Sequence, residues 1–263
     1  MHADGNHQET SKGPGPLPDE LDDLARRALS LVPAGGRALV GITGSPGAGK
    51  TTLAAALASR ADQLARADEP ARADQPAREG EPAGSDGPGA APDDPLAVHV
   101  PMDGFHLANA TLDRLGLRQR KGAVETFDGW GFVALLRRLL VETEHTVYAP
   151  GFDRAVDEGV TGAVAVPASA RLVVVEGNYL LVDAQPWAQV RDVLAETWFC
   201  ETPEAVRMDR LVTRHQAGGR TPDAALAWAE TVDGGNAALI ETTRARADLI
   251  ISGTAPHMTR STP

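Results

Sequence analysis

The chain has 263 residues, of which 42% are hydrophobic and 4% aromatic, and carries a formal charge of −11 at pH 7. This length fits one large α/β domain or two small ones, with a core built mainly from Leu, Val, Ile and Ala. The negative charge argues against broad binding to nucleic acid or anionic membranes, and the single cysteine excludes an intrachain disulfide framework. No signal peptide or bilayer-spanning run is recognisable, so we expect a cytoplasmic protein.

The N-terminal part of the chain predicts a tail, a helix, a strand and a second helix. Residues 1–18 are polar and rich in Gly, Pro and His, which predicts a disordered tail. Apolar residues recur at helical spacing from Leu21 to Val32, which predicts an amphipathic helix. Residues 38–43 predict a short apolar strand, and residues 52–58 predict a helix rich in Ala and Leu.

A glycine-rich loop joins that strand to the second helix. It reads Gly44, Ser45, Pro46, Gly47, Ala48, Gly49, Lys50, Thr51 and matches the phosphate-binding pattern G-x-x-x-x-G-K-[ST]. Glycines let backbone N–H groups approach a phosphate, Lys50 reaches the β- and γ-phosphates, and Thr51 offers a hydroxyl to Mg²⁺. With Thr52, the helix adds the positive end of its dipole. Because strand, loop and helix occur in the required order, a nucleotide site is favoured over a glycine-rich turn without a ligand.

The segment 61–95 has an unusual composition. It contains two hexads, residues 65–70 and 71–76, followed by sequence rich in Gly and Pro. A proline at every sixth residue blocks a continuous helix, and two short copies cannot form a solenoid. We predict a disordered surface insertion, and a regulatory or partner-binding role for it stays open.

Strands and helices alternate through the rest of the chain. Strands are predicted at residues 96–100, 171–176, 197–200 and 249–251, and helices after Asp128 and at residues 203–216 and 236–247. This alternation predicts an α/β fold, a three-layer αβα sandwich with a mainly parallel central sheet. We expect a single domain over residues 19–255 and a C-terminal tail at 256–263.

Two acidic residues directly follow predicted strands. Asp103 lies just past residues 96–100, at the sheet edge where open α/β sheets bind ligands, and could take the proton from an attacking hydroxyl. Its alternative role is to cap the following turn. Glu176 ends the Val-rich strand, where a Mg²⁺ ligand belongs in a phosphate-loop fold. The alternatives for Glu176 are a base in a hydrolase and a solvent-facing charge.

A stripe of arginines marks the predicted helix at residues 203–216. Arg207, Arg210 and Arg214 are spaced i, i+3 and i+7, so they share one face, and two glycines follow the helix. Such an element suits an arginine-bearing helical lid that closes over a transferring phosphoryl group. The commoner alternative is a solvated charged face.

Several blocks together resemble a known family. They are the glycine loop, Asp103-Gly104-Phe105-His106, residues 120–128, Glu176-Gly177-Asn178-Tyr179 and residues 236–250. In this order they are similar to the phosphoribulokinase, uridine kinase and pantothenate kinase group of P-loop kinases, and most of all to its bacterial nucleoside/nucleotide kinase and fructose-transport-kinase-like branch. The resemblance covers about residues 37–252, apart from the insertion.

The resemblance implies roles for individual residues. Asp103 matches the catalytic aspartate, Lys50 and Thr51 the phosphate and Mg²⁺ contacts, and Arg210 and Arg214 the lid arginines. The resemblance places the remaining predicted substrate residues on the acceptor side: His106, Arg154, Tyr179 and Asn236. Residues 150–154 match the acceptor loop, where relatives carry a tyrosine and a nearby histidine. This chain has Phe152 and Arg154 there, which would suit an anionic or hydroxyl-rich acceptor.

These patterns leave three alternatives for the function. The first is an ATP- and Mg²⁺-dependent kinase that phosphorylates a hydroxyl of a small molecule such as a nucleoside, a pantothenate-like compound or a sugar. The second is a regulatory NTPase that switches conformation on hydrolysis, although the guanine-reading pattern N-K-x-D is absent. A degenerate binding protein is a third alternative, opposed by the intact lysine, threonine and acids. Because many members of the resembled group are dimers, the resemblance makes a homodimer possible for this chain. The negative charge predicts no nucleic-acid or membrane partner.

Overall fold

The computed structural model describes residues 18–68 and 94–254. Its helices are α1 (Pro18–Ser30), α2 (Lys50–Asp68), α3 (Asn109–Leu115), α4 (Gly129–Val141), α5 (Glu204–Ala217), α6 (Pro222–Trp228) and α7 (Gly234–Glu241). Its strands are β1 (Ala38–Thr43), β2 (Ala97–Pro101), β3 (Val147–Asp153), β4 (Glu158–Val166), β5 (Leu172–Glu176), β6 (Glu196–Glu201) and β7 (Leu249–Ser252). The described residues do not include residues 1–17 of the predicted N-terminal tail, residues 69–93 of the predicted insertion, residue 255 or the predicted C-terminal tail 256–263.

Five of these strands form one parallel sheet in the order β2-β5-β1-β6-β7. The buried run Leu172–Glu176 lies in it beside β1 and β2, as expected for a strand with apolar residues on both faces. Helices cover both faces, so the predicted three-layer αβα fold is confirmed.

Strand residues alternate between the two faces of the sheet and build two cores. On one face, Val40, Ile42 and Val174 pack with the buried side of α1 and α2, including Leu53 and Leu57. On the other face, the intervening strand residues pack with α4 and the segment after β5. This alternation follows from the two-residue period of a strand and fixes which residues reach the ligand-binding edge.

Two element boundaries differ from the sequence prediction. Helix α2 continues to Asp68, so residues 61–68 are helical and do not belong to the predicted insertion. The buried Ala61 continues the apolar face of α2, and Arg60 binds Asp22 of α1 through two hydrogen bonds. Helix formation there is favoured because the apolar spacing persists to Leu64, which packs partly buried on the same core.

The last predicted helix, residues 236–247, is also shorter than expected. Helix α7 ends at Glu241, and a separate 3₁₀ turn covers Arg244–Arg246. The hydroxyls of Thr242 and Thr243 donate to the carbonyls of Leu239 and Ile240. Threonine hydroxyls that bind backbone carbonyls compete with continuation of a helix, which explains the break.

Strands β3 and β4 form a separate antiparallel hairpin beside the sheet. It lies against the 3₁₀ turn Met102–Phe105 that follows β2. A Cβ atom on Gly104 would lie 2.3 Å from the carbonyl oxygen of Pro150, so only glycine allows this approach. The hairpin is thereby held next to Asp103.

Cys200 lies on β6 with 1% of its surface exposed, and its thiol donates to the Ala48 carbonyl at 3.3 Å. Burial raises the pKa of Cys200 to about 11, so the thiol stays protonated at neutral pH. Among residues 18–68 and 94–254, no helix has the length and apolar character needed to cross a bilayer.

Candidate functional site

Three neighbouring strands end at the same edge of the sheet and carry the candidate residues there. Strand β1 leads into the glycine loop, β5 ends at Glu176, and β2 ends two residues before Asp103. Glu176 is paired in register with Ile42 on one side and with Pro101 on the other. The strand order therefore brings the glycine loop, Glu176 and Asp103 to the same edge of the sheet.

The glycine loop has the backbone that a phosphate cradle needs. Gly44, Gly47 and Gly49 all have positive φ, at 144°, 79° and 96°. A Cβ atom on Gly44 would lie 2.4 Å from the carbonyl oxygen of Cys200, so the loop packs directly on β6. Helix α2 begins at Lys50, which places its N-terminal amides at the loop and favours an anion there.

Lys50 is buried, and its ammonium donates to the carbonyl of Ser45 at 3.1 Å. Burial lowers the pKa of Lys50, while the negative charges of Glu176 and Asp103 oppose that shift. The ammonium therefore lies inside the loop and next to both candidate acids. This is the position from which a lysine contacts bound phosphates.

Thr51 and Glu176, the two predicted Mg²⁺ residues, contact each other. The Thr51 hydroxyl donates to Glu176 Oε1 at 3.0 Å. A hydroxyl and a carboxylate are oxygen donors of the kind that Mg²⁺ prefers, so the residues present fit this ion. The pairing forms although the two residues lie 125 positions apart in the chain.

Glu176 and Asp103 form an acidic pair at the end of the sheet. Burial raises the pKa of Glu176 to about 7, and the nearby charge of Asp103 adds to the shift. Lys50, the Thr51 hydrogen bond and the guanidinium of Arg154 act in the opposite direction. Among the described residues, the carboxylate of Asp103 has no hydrogen bond or ion pair, so the alternative role of capping the turn is not what its side chain does here. An unpaired carboxylate is available to accept a proton from a bound hydroxyl.

The raised pKa of Glu176 gives a testable pH dependence of stability. The unfolded chain titrates Glu176 near 4.5 and the folded chain near 7, so between these values the folded state holds the proton more tightly. This contribution to stability is present below pH 4.5 and is lost as the pH rises to 7, by up to about 1.4 kcal/mol per pH unit. We expect Glu176→Gln to lack that loss, measured as the free energy of unfolding in urea with EDTA at pH 5, 6 and 7.

The matched control for this measurement is Glu144→Gln, because Glu144 is exposed on the surface after α4. It is expected to follow the wild-type pH dependence. Identical pH dependence of the wild type and Glu176→Gln would show that Glu176 does not titrate as stated.

Two of the three arginines of the predicted stripe on α5 contact the glycine loop. Arg207 and Arg210 donate to the carbonyls of Pro46 and Gly47, each at 3.2 Å, and Arg210 also reaches the carbonyl of Gly253. Arg214 pairs instead with Asp233 at 3.6 Å. The alternative of a solvated charged face therefore does not describe Arg207 and Arg210. The closing movement of a lid stays a prediction.

Aromatic rings line the region that the resemblance predicts to bind the acceptor. The ring of His106 lies between Phe127 and Phe152, with centroid distances of 4.0 and 4.9 Å. Its Nδ1 donates to the Asp103 carbonyl at 2.8 Å, which leaves Nε2 as an acceptor in the neutral ring. Burial lowers the pKa of His106, so the neutral form is favoured. Arg154 is exposed at the hairpin tip, on an open cleft of about 400 Å³ that Phe152 also lines.

Tyr179 and Asn236, both predicted to contact substrate, instead hold one carbonyl in this structure. The Tyr179 hydroxyl and the Asn236 amide donate to the carbonyl oxygen of Gly122. Tyr179 has no exposed surface, so it lies behind the site and positions the turn at Gly122. Direct contact of Tyr179 with substrate stays a prediction, and in this structure its wholly buried ring presents no surface to a ligand. Asn236 is also buried, at 8% exposed.

Lys121 is a residue of the site region to which the sequence analysis assigned no role. Its ammonium donates to Asn109 Oδ1 at 2.7 Å and to Asp157 Oδ2 at 2.9 Å. Asp157 lies at the hairpin tip with a positive φ of 54°. Lys121 thus fastens the tip of the β3–β4 hairpin to the segment between α3 and α4. In the sequence, the only indication of a role for Lys121 is that it belongs to the block 120–128 that carries the family resemblance.

Comparison with known proteins places this geometry among kinases. A solved structure described as a "putative fructose transport system kinase" from Silicibacter sp. TM1040 superposes with a TM-score of 0.71 at 36% identity, covering 88% of this chain and 98% of that one. The "ATP-dependent kinase-like protein notR'" of Aspergillus versicolor is 38% identical over 133 residues, 48% of this chain and 77% of its own length. The "Putative uridine kinase C227.14" of Schizosaccharomyces pombe is 29% identical over 236 residues, 88% of this chain and 89% of its own length. No protein-family model matches the chain.

Proposed function

The chain belongs to the P-loop ATP-dependent kinases of the phosphoribulokinase, uridine kinase and pantothenate kinase-like group, and from that premise we propose that it transfers the γ-phosphoryl group of ATP to a hydroxyl of a small molecule. The observation that carries the proposal is the unpaired carboxylate of Asp103 beside Lys50 and Glu176 at the end of the sheet. A hydrolytic switch does not need an unpaired acid that accepts the proton of an acceptor hydroxyl, whereas a transferase of this kind does.

The residues of this chain supply three kinds of assistance to such a transfer. The loop amides and Lys50 bind the β- and γ-phosphates, and Arg210 and Arg214 add positive charge near the transferring group. Asp103 accepts the proton of the acceptor hydroxyl. At the same time the hydroxyl oxygen bonds to the γ-phosphorus, and the bond between that phosphorus and ADP breaks. Thr51 and Glu176 would hold Mg²⁺, which when bound neutralises charge on the phosphate oxygens. Positioning and electrostatic stabilisation therefore dominate the proposed rate enhancement.

The acceptor is proposed to bind between Asp103, the His106–Phe152 stack and Arg154. Aromatic rings, one imidazole acceptor and one exposed guanidinium suit a small compound with hydroxyl groups, such as a nucleoside, a pantothenate-like compound or a sugar. Arg154 has no ion pair within the described residues, which leaves it free to bind an anionic group of the acceptor.

The experiment that tests the proposal is a coupled assay of ADP release. The protein with Mg²⁺ and ATP is presented with nucleosides, pantothenate, sugars and sugar phosphates, and each rate is compared with the rate without acceptor. We expect at least one acceptor class to raise ADP release at least about tenfold, with phosphorylated product detected by mass spectrometry, because a positioned hydroxyl competes with water. Equal ADP release with and without every acceptor, at a high basal rate, would favour the regulatory NTPase and overturn the kinase.

A further inference from the structure

Glu241, to which the sequence analysis assigned no role, contacts the glycine loop. The Ser45 hydroxyl donates to Glu241 Oε1 at 2.6 Å across a separation of 196 residues. This distance is typical of a hydroxyl donating to an ionised carboxylate, the stronger class of hydrogen bond. Ser45 itself is buried, with 1% of its surface exposed. The contact therefore fixes the side chain of the second residue of the loop.

Ser45 transmits this contact to the lysine. Its carbonyl oxygen accepts the hydrogen bond from Lys50 Nζ at 3.1 Å. Its neighbour Gly44 is packed on the Cys200 carbonyl of β6 so tightly that no Cβ fits. The Ser45 carbonyl also accepts from the Ala48 amide at 3.1 Å, within the loop itself. Glu241 adds the contact that holds Ser45 from outside the loop, through its hydroxyl.

Helix α7 presents Glu241 from a fixed position. Ile240, the preceding residue, is fully buried in the core, and Asn236 at the start of the helix is bonded to the Gly122 carbonyl. After Glu241, Thr243 closes back onto Ile240 through its backbone and its hydroxyl. The carboxylate consequently has a rigid support, as a residue that positions another group requires.

Glu241 is an exposed residue whose negative charge lies where an anion is expected to bind. Glu241 is the last residue of α7, where the helix dipole disfavours negative charge, and it lies beside a loop that binds anions. Its charge therefore opposes nucleotide binding, while its hydrogen bond orders the loop. These two effects have opposite signs, which makes them separable by substitution.

We propose that Glu241 is a positioning residue for the phosphate loop, which orients Ser45 and through the Ser45 carbonyl orients Lys50. The inference rests on the proposed nucleotide site. It predicts that Glu241→Gln, which keeps an acceptor oxygen and removes the charge, binds ADP at least as tightly as the wild type. Glu241→Ala, which removes the hydrogen-bond acceptor of the Ser45 hydroxyl, is expected to bind ADP about fivefold more weakly than Glu241→Gln.

The test is a double-mutant cycle that uses titration calorimetry with ADP. Glu241→Ala and Glu241→Gln are each measured with Ser45 intact and with Ser45→Ala, and the fivefold difference is expected to vanish in the Ser45→Ala background. Equal thermal midpoints of the ligand-free variants would confirm that the effect is on binding. Glu230→Ala and Glu230→Gln are the matched controls, because Glu230 is exposed in the π-helical segment Ala229–Asp233 directly before α7, and they should bind ADP equally.

Two results would overturn the inference: equal ADP affinity of Glu241→Ala and Glu241→Gln, or a difference that persists without the Ser45 hydroxyl. The outcome is distinguishable from failure of the proposed function. A wild type that binds ADP but phosphorylates no acceptor would refute the kinase proposal, while the cycle on ADP affinity would still decide the role of Glu241.

Discussion

Asp103→Asn is expected to slow phosphoryl transfer at least about 100-fold while the affinity for ATP stays within about twofold of the wild type. The asparagine has nearly the same shape as aspartate but cannot accept a proton at neutral pH. Since Asp103 has no side-chain partner among the described residues, the substitution breaks no structural contact. The loss therefore reports on proton transfer and on the charge next to the acceptor hydroxyl.

The measurement uses the best acceptor from the ADP-release screen, with ATP affinity determined separately by calorimetry. Asp113→Asn is the matched control, because Asp113 is exposed on α3 and its side chain has no hydrogen bond or ion pair to the described residues. It is expected to leave the transfer rate unchanged. Wild-type turnover by Asp103→Asn would remove Asp103 from the catalytic role and with it the main support for the proposed kinase.

Arg37→Met is expected to lower the free energy of unfolding by about 3 kcal/mol or more, the largest stability effect we anticipate for a single side chain. Arg37 precedes β1 and is 4% exposed. Its guanidinium donates to the carbonyls of Ala170, Leu139 and Pro167 at 2.7, 2.9 and 2.8 Å. Methionine has a similar length but no donor, so three carbonyls would lose their bonds to the guanidinium.

The role of Arg37 is to join three segments that meet behind the sheet. Leu139 lies in the last turn of α4, where exposed carbonyls and the helix dipole both favour a cation. Pro167 and Ala170 lie in the connection that leads from the β3–β4 hairpin to β5. Burial lowers the pKa of Arg37, yet an arginine in this setting stays charged. The substitution thus weakens the support of the strand that ends at Glu176.

Urea unfolding at pH 7 measures this effect. Arg114→Met is the matched control, since Arg114 is exposed on α3 and has no bond to the described residues; it is expected to change stability by less than about 0.5 kcal/mol. Arg37→Lys, with one ammonium for several carbonyls, should fall between the two. A stability of Arg37→Met within the range of the control would show that water or a neighbouring group satisfies these carbonyls.

The elements that could be predicted from the sequence are those with local determinants. The strand β1 was predicted with the bounds that the structure has, and Asp128 caps α4 by accepting from the Gly131 amide as expected. The glycine loop is specified by eight consecutive residues whose backbone angles and charges depend little on the rest of the fold. The strand ends at Glu176 and before Asp103 could be predicted from apolar runs. Because the strands are parallel, these ends lie at the same edge of the sheet.

The boundaries that were wrong show where local patterns are insufficient. Proline spacing suggested that the insertion begins at residue 61, but packing of Ala61 and the Arg60–Asp22 pair between α2 and α1 extend the helix to Asp68. At the other end, threonine hydroxyls terminate α7 earlier than helical periodicity suggested. In both cases the deciding contact is made by a side chain whose partner the periodicity does not specify.

The sequence by itself determined the fold class, the phosphate loop, and the two acids and the arginine face that surround it, because each depends on spacing within one segment. Only the tertiary structure decided what those segments do to one another. It paired Thr51 with Glu176, turned Tyr179 and Asn236 onto the Gly122 carbonyl, and brought Glu241 to Ser45. These contacts join residues 57 to 196 positions apart, and no periodicity encodes the chain crossing that makes them neighbours. The phosphate loop is thus specified by local sequence. The region predicted to bind the acceptor and the contact that supports the loop arise from packing.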